Sequence, residues 1–112
     1  MILIKISVNV KSMKRTEFLS ACQLLTNQTR QEKGCLSCLY YRDVDNENLI
    51  YLEETWEGRS YMEEHFRSDI FSALLGAMKL LGVTHEISIN EGSRTEGIEV
   101  VHAARIKADV ND

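Results

Sequence analysis

The segment CLSCLYYRDVDNENLIYLEETW (residues 35–56) contains the clearest secondary-structure signal of the sequence. Two runs rich in aromatic and aliphatic residues, 35–43 and 49–56, flank the short polar segment VDNEN (44–48). Asp and Asn favour turns because their side chains hydrogen-bond to the nearby backbone. The segment therefore predicts a β-hairpin of two adjacent strands.

On each side of this hairpin the sequence predicts a helix and a further strand. Residues 2–10 alternate apolar and polar side chains, which predicts a half-buried strand. Apolar residues recur at helical spacing in 12–34 and again from 60 to 82, where RSD (67–69) can split the second helix in two. VTHEISIN (83–90) predicts a fourth strand.

The predicted order is β-α-β-β-α-β, which is the ferredoxin-like α+β arrangement. IEVVHAARI (98–106) predicts an extra C-terminal strand after a polar loop. We expect one domain over 1–92 and an extension over 93–112 that packs on a partner subunit. One face of the sheet lacks a covering layer, so we expect a homodimer that joins sheet to sheet, a dimeric α+β barrel.

The composition excludes several classes of partner. The chain has 112 residues, which suits one domain, and 13 basic against 17 acidic residues give a formal charge of −4. Such a charge disfavours nucleic acid as a partner. Apolar runs are too short to span a membrane, and MILIKISVNV lacks the features of a signal peptide, so we expect a cytoplasmic protein.

The cysteines Cys22, Cys35 and Cys38 do not form a disulfide framework. Residues three apart on a regular strand point to opposite faces, so the sequence predicts that Cys35 and Cys38 do not bridge. No second CxxC and no nearby histidine complete a zinc site, so no metal is expected.

Three pieces of the chain resemble the antibiotic biosynthesis monooxygenase family, in its quinol-monooxygenase-like branch: EKGCLSCLYYRD, LIYLEETW and HFRSDIF. That branch has a Gly after the first helix, an E-x-W at the end of the third strand and a His about nine residues later. The matching positions here are Gly34, Glu54, Trp56 and His65. The resemblance implies a dimeric α+β barrel that oxygenates electron-rich aromatics without a metal or flavin.

A haem-degrading branch is also similar around SDIF. Its ligating His would fall near Leu75, which cannot bind iron. We therefore expect no cofactor.

His65 is the candidate catalytic base, since an imidazole titrates near neutral pH. It shares a helix face with Tyr61, four residues before it, which is a candidate substrate-binding residue. The alternative is a boundary histidine bonded to the backbone. Trp56, the single tryptophan, is a candidate wall for a planar substrate, and core packing is the alternative. Asn9 is a candidate donor to a substrate oxygen, or a polar residue at a strand end.

The remaining substrate-binding candidates are Glu54, Arg42, Tyr40 and Tyr51. Glu54 could orient His65 or Arg42, or form an ion pair between subunits. Arg42 could bind an anionic group, or lie exposed at a strand end. The tyrosines could line a pocket or a dimer interface.

These residues suggest a cofactor-independent monooxygenase acting on a quinol-like or polyphenolic small molecule. The alternative is a non-catalytic dimeric module that binds small molecules or serves a stress response. A dimeric isomerase or cyclase is a weaker third hypothesis.

Overall fold

The computed structural model of the protein describes residues 1–92 and 95–111. Its first half contains two helical segments and three strands, and its second half contains three helices and one strand. A single 3-10 turn at Ser12–Lys14 precedes the first α-helix. In chain order the elements are β1 (Ile2–Val10), α1 (Arg15–Thr29), β2 (Cys35–Arg42), β3 (Leu49–Trp56), α2 (Arg59–Phe66), α3 (Asp69–Leu81), β4 (Gly82–Glu91) and α4 (Ile98–Asn111).

The four strands form one antiparallel sheet in the order β2-β3-β1-β4. This order confirms the predicted ferredoxin-like α+β fold, with β1 in the middle of the sheet and β2 and β4 at its edges. The pairing of β2 with β3 shifts register between Cys35 and Ser37, so one extra residue lies in β2 at that point. This bulge changes which side chains of β2 face the helices.

The alternation in β1 divides the sheet into an inner face and an outer face. The inner residues of β1 are all buried against the helices, and they are Ile2, Ile4, Ile6, Val8 and Val10. They pack with apolar side chains of α1 and α3, such as Phe18, Cys22 and Leu74. The core therefore lies between the inner face and the helices. Within residues 1–92 and 95–111 of one protomer, no layer covers the outer face.

Ser68 separates α2 from α3, as the RSD segment predicted. Its hydroxyl accepts a hydrogen bond from the backbone amide of Phe71 at 3.2 Å and thus caps α3. The same hydroxyl donates to the backbone carbonyl of His65 at 2.6 Å. The cap therefore fixes the end of α2 at the point from which the His65 side chain projects.

Gly34 ends the turn between α1 and β2 with φ +87°, a conformation that residues with a side chain rarely adopt. A Cβ at this position would overlap the ring of Tyr61 at the start of α2. The backbone carbonyl of Gly34 also accepts a hydrogen bond from the backbone amide of Glu57 at 2.8 Å. Gly34 thus allows the turn of residues 30–34 to pack closely against the junction of β3 and α2.

The predicted C-terminal strand over 98–106 is wrong, because these residues belong to α4. Val100 and Val101 favoured a strand, but a strand needs a neighbour to bond its backbone, and a helix bonds its own. The side chains of residues 98–106 are all exposed. This segment therefore cannot add a strand to the partner's sheet in the way that the sequence predicted.

Among the described residues, no helix is long and apolar enough to cross a membrane.

Candidate functional site

A buried polar cluster lies between the inner face of the sheet and α2. Glu54 and Trp56 enter it from the end of β3, and His65 enters it from the last turn of α2. Glu32 enters it from the turn that Gly34 closes. All three segments meet here because the turn packs against the β3–α2 junction.

His65 lies between two carboxylates. Its Nδ1 is 2.6 Å from Oε2 of Glu32, and its Nε2 is 3.1 Å from Oε1 of Glu54. The second contact has the distance of an ion pair, but its angle is unfavourable for a hydrogen bond. The Nε1–H of Trp56 donates to the same Oε1 of Glu54 at 3.0 Å. The four side chains thus form one chain of polar contacts.

The cluster is almost completely shielded from solvent. The side chains of His65 and Glu54 are 1% and 2% exposed, whereas that of Glu32 is 21% exposed. The His65 ring lies 4.7 Å from that of Trp56 and meets that of Phe71 edge-on at 5.2 Å. Glu32 is therefore the member of the cluster through which a proton can reach solvent.

The environment raises the pKa of His65 above its ordinary value. Burial is the largest single influence and lowers the pKa, since it disfavours the charged imidazolium. The close contact and charge of Glu54, followed by the charge and hydrogen bond of Glu32, outweigh burial and raise the pKa. Two carboxylates contact one ring, and each of them favours its charged form. An imidazole with a raised pKa is a stronger base when neutral.

Two of the other candidates lie near this cluster, and a third lies apart. Tyr61 is partly buried and packs over Gly34, one helical turn before His65. Tyr40 is partly buried on the inner face, opposite Leu52. Arg42 is exposed at the end of β2.

Asn9 and Tyr51 are not brought together with His65. Both belong to the outer face, where they line an open hollow of about 440 Å³ together with His85 and other residues. The ring of Tyr51 stacks on that of Tyr41 at 5.0 Å. Within one protomer the sheet itself separates these two side chains from the buried cluster, so one small molecule cannot contact both groups.

Glu32 is the site residue that sequence reasoning missed. It lies 33 residues before His65 in an irregular turn, where neither helical nor strand periodicity predicts the direction of a side chain. The available signal was the glycine two residues later, because a glycine in a left-handed turn allows such a close approach.

Among the described residues, no group of three or more His, Cys, Asp or Glu side chains could hold a metal ion.

Comparison with known proteins finds a matching family and two relatives. The family model described as antibiotic biosynthesis monooxygenase matches residues 1–76. Bacillus subtilis YcnE, named as a candidate monooxygenase, is 31% identical over 81 residues, which cover 72% of this chain and 85% of YcnE. The Synechocystis protein sll1783 is 29% identical over 91 residues. That match covers 80% of this chain but spans only 62% of the length of sll1783.

The fold also matches solved structures. A conserved protein from Methanosarcina mazei Go1 superposes with a TM-score of 0.77 at 26% identity. The match covers 82% of this chain and 92% of that one. The buried cluster described above falls within the matched region of the family, since all four of its residues precede residue 76.

Proposed function

Because the chain belongs to the antibiotic biosynthesis monooxygenase family, we propose that it oxygenates a quinol-like or polyphenolic small molecule with dioxygen. The name of YcnE supports the reaction class, since that relative is named as a candidate monooxygenase. The observation that carries the proposal is the histidine held between two carboxylates beside the single tryptophan. This arrangement supplies a base of raised pKa in a dry site, which is what the reaction needs.

The proposed reaction balances without a cofactor because the substrate is its own reductant. A hydroquinone and one dioxygen give a hydroxyquinone and one water. The substrate first loses a phenolic proton, and the resulting anion donates an electron to dioxygen. One oxygen atom then forms a new bond to a ring carbon, and the other leaves as water with the two hydrogens that the substrate has lost.

In this proposal the proton leaves the substrate through Glu32 and His65. Glu32 is the most exposed carboxylate of the cluster, so it accepts the phenolic proton and passes it to Nδ1 of neutral His65. Glu54 then stabilises the imidazolium from the other side. Trp56 is fully buried and holds Glu54 in place, so its role is to support the base rather than to stack on substrate.

The test is turnover in labelled dioxygen. The protein is incubated with menadiol and a panel of polyphenols under ¹⁸O₂, and product mass and hydrogen peroxide are measured. We expect one ¹⁸O atom in each product molecule and no stoichiometric peroxide. Autoxidation would instead give unlabelled quinone and peroxide, and enzyme-dependent formation of those products would contradict the proposal.

His65→Asn tests the base, and His102→Asn is its matched control because that histidine is exposed on α4. We expect the first variant to lose about 10²–10⁴-fold in kcat/KM, the usual contribution of general base catalysis, and the second to keep full activity. The rate of the unaltered protein should rise with pH through the raised pKa of His65, since only neutral imidazole accepts a proton. An undiminished rate in the His65 variant would exclude it as the base.

A non-catalytic binding module is the second candidate. The observation that favours it is the burial of His65, since a side chain 1% exposed is closed to a ligand unless the turn of residues 30–34 moves. A module of this kind would show thermal stabilisation by aromatic ligands and no turnover across the panel. The ¹⁸O₂ experiment therefore separates the two candidates directly.

We also propose a homodimer that joins the outer faces of two sheets. Leu39 and Tyr41 are 41% and 38% exposed there, and Leu3 is 36% exposed. An uncovered apolar face on a sheet favours a second layer. Light scattering should give twice the monomer mass, and Leu39→Glu should give a monomer. A wild-type protein that is still monomeric at about 10⁻⁴ M, a concentration at which even a weak dimer would form, would contradict this proposal.

A further inference from the structure

Cys35 and Cys38 lie on the same face of β2, contrary to the prediction from a regular strand. Cys35 pairs opposite Trp56, and Cys38 pairs opposite Glu54. Trp56 and Glu54 are two residues apart and both point inward. The bulge between Cys35 and Ser37 inserts the extra residue that brings both thiols to the inner face.

The two cysteines line one open cleft of about 320 Å³, together with Arg30, Leu36 and Ser37. Both are free thiols. Cys35 is partly exposed, and its thiol donates weakly to the carbonyl of Ser37 at 3.5 Å. Cys38 is 4% exposed. One thiol of the pair is thus open to a reagent, and the other is almost completely buried in the same cleft.

The spacing of the pair is compatible with a bond. Cys35 and Cys38 lie opposite Trp56 and Glu54 of β3, which are two residues apart. Two residues along a strand span about 6.8 Å, so the Cα atoms of the two cysteines are separated by about that distance. The Cα separation in disulfides ranges up to about 6.8 Å. Because β2 is an edge strand, its first residues can move slightly without disrupting a second neighbour.

We propose that Cys35 and Cys38 form a reversible dithiol–disulfide pair that exchanges with small disulfides. The Cys35 thiolate attacks one sulfur of a small disulfide such as oxidised glutathione and releases one glutathione thiolate. Cys38 then loses its proton and attacks the sulfur of Cys35, which releases the second glutathione. Two protein thiols are oxidised, one glutathione disulfide is reduced to two thiols, and no other reactant is needed.

The environment makes this exchange slow at neutral pH. Burial raises the pKa of Cys38 to about 12, with smaller contributions from the charges of Glu54 and Cys35. Burial also raises the pKa of Cys35, and the charges of Glu54 and Glu32 add to it. Only the thiolate attacks a disulfide, so the rate should rise by about tenfold for each pH unit below the pKa. The charge of Arg30 opposes these effects and favours the thiolates.

The test uses the reduced full-length chain in glutathione buffers of increasing oxidised fraction at pH 8.5, followed by alkylation and trypsin digestion. Cleavage after Lys33 and Arg42 releases both cysteines in one peptide, GCLSCLYYR (34–42). We expect this peptide to become 2 Da lighter and lose both alkyl groups. Cys22, which is buried on α1, lies in another peptide and should stay reduced.

Three variants make the result decisive. Cys22→Ser should keep the 2 Da change, whereas Cys38→Ser should leave Cys35 as a mixed disulfide with glutathione. Circular dichroism checks that each variant is folded. The proposal is overturned if the wild-type peptide stays reduced or carries only glutathione. It is also overturned if the Cys35→Ser peptide carries glutathione on Cys38, because Cys35 would then not be the attacking thiol. Because this readout needs no substrate, its outcome is independent of the proposed oxygenase activity.

Discussion

Glu54→Gln removes the buried negative charge beside His65 while it keeps the size of the side chain. The amide oxygen can still accept the hydrogen bond from Trp56 Nε1, which now lies 3.0 Å from the carboxylate. What disappears is the charge 3.1 Å from Nε2 of His65. The variant therefore isolates the electrostatic part of the contact.

The expected loss is about 2 kcal/mol in the free energy of unfolding at pH 6. Removal of one partner of a buried ion pair costs about 3–5 kcal/mol when the other charge is left unpaired, whereas a single polar contact of a charged group contributes about 1.5–3 kcal/mol. The larger range does not apply here, because His65 keeps Glu32 as a second partner and the glutamine keeps the bond to Trp56. The lower range is therefore the better guide.

The loss should depend on pH in a definite direction. The pKa of His65 is raised in the folded protein, so protonation favours the folded state. This contribution is fully present below the unfolded pKa of about 6.5 and is lost as pH rises through the folded pKa. The difference in stability between wild type and variant should therefore be largest at pH 6 and shrink above the folded pKa.

Urea unfolding followed by far-ultraviolet circular dichroism at pH 5.5–9 measures the difference. Nuclear magnetic resonance of the His65 ring gives its pKa directly, and we expect the variant to lower it. Glu53→Gln is the matched control. That neighbouring carboxylate points to the outer face, where its Oε1 accepts a hydrogen bond from the Tyr41 hydroxyl at 2.7 Å. A difference in stability that stays constant with pH, or an unchanged pKa of His65, would refute the reasoning.

Three further variants test the packing that positions the cluster, each measured by urea unfolding. Gly34→Ala should cost about 2–5 kcal/mol, because it combines a left-handed backbone with overlap of the new Cβ and the Tyr61 side chain. In a Tyr61→Gly background, which removes every overlapping atom, the cost should fall to about 1–2 kcal/mol, and equal costs in both backgrounds would exclude the overlap. Ser68→Ala should cost about 0.5–2 kcal/mol through loss of the α3 cap, and no change would show that the cap contributes nothing. Leu74→Ala should cost about 2–5 kcal/mol because Leu74 is buried, whereas the exposed Leu80→Ala should cost under about 0.5 kcal/mol.

The strands could be predicted where side chains alternate, as in residues 2–10, or where two apolar runs flank a turn, as in residues 35–43 and 49–56. Residues 2–10 and 49–56 form β1 and β3 with the predicted bounds, because a buried face imposes a period of two. The segment 98–106 has β-branched residues without that alternation, and it forms part of a helix. Its lack of a neighbouring strand decides the structure, and that is a property of the whole fold rather than of the segment.

The site could be predicted only in part. His65, Trp56 and Glu54 were chosen from the resemblance, and the structure brings them into contact. Glu32 depends on a turn geometry that residue patterns do not encode. The pairing of Cys35 with Cys38 depends on a bulge, which reverses the direction of every side chain before it.

The central position of β1 has a consequence for synthesis on the ribosome. Both of its partners come later in the chain, and Ile2 pairs with Glu91, 89 residues further on. At about 5–20 residues per second, the second partner follows roughly 4–18 s after β1. The strand has no neighbour on either edge until β3 is made, and one of its edges stays open until β4 is made. During that interval its five buried isoleucines and valines expose the nascent chain to aggregation and to the binding of chaperones.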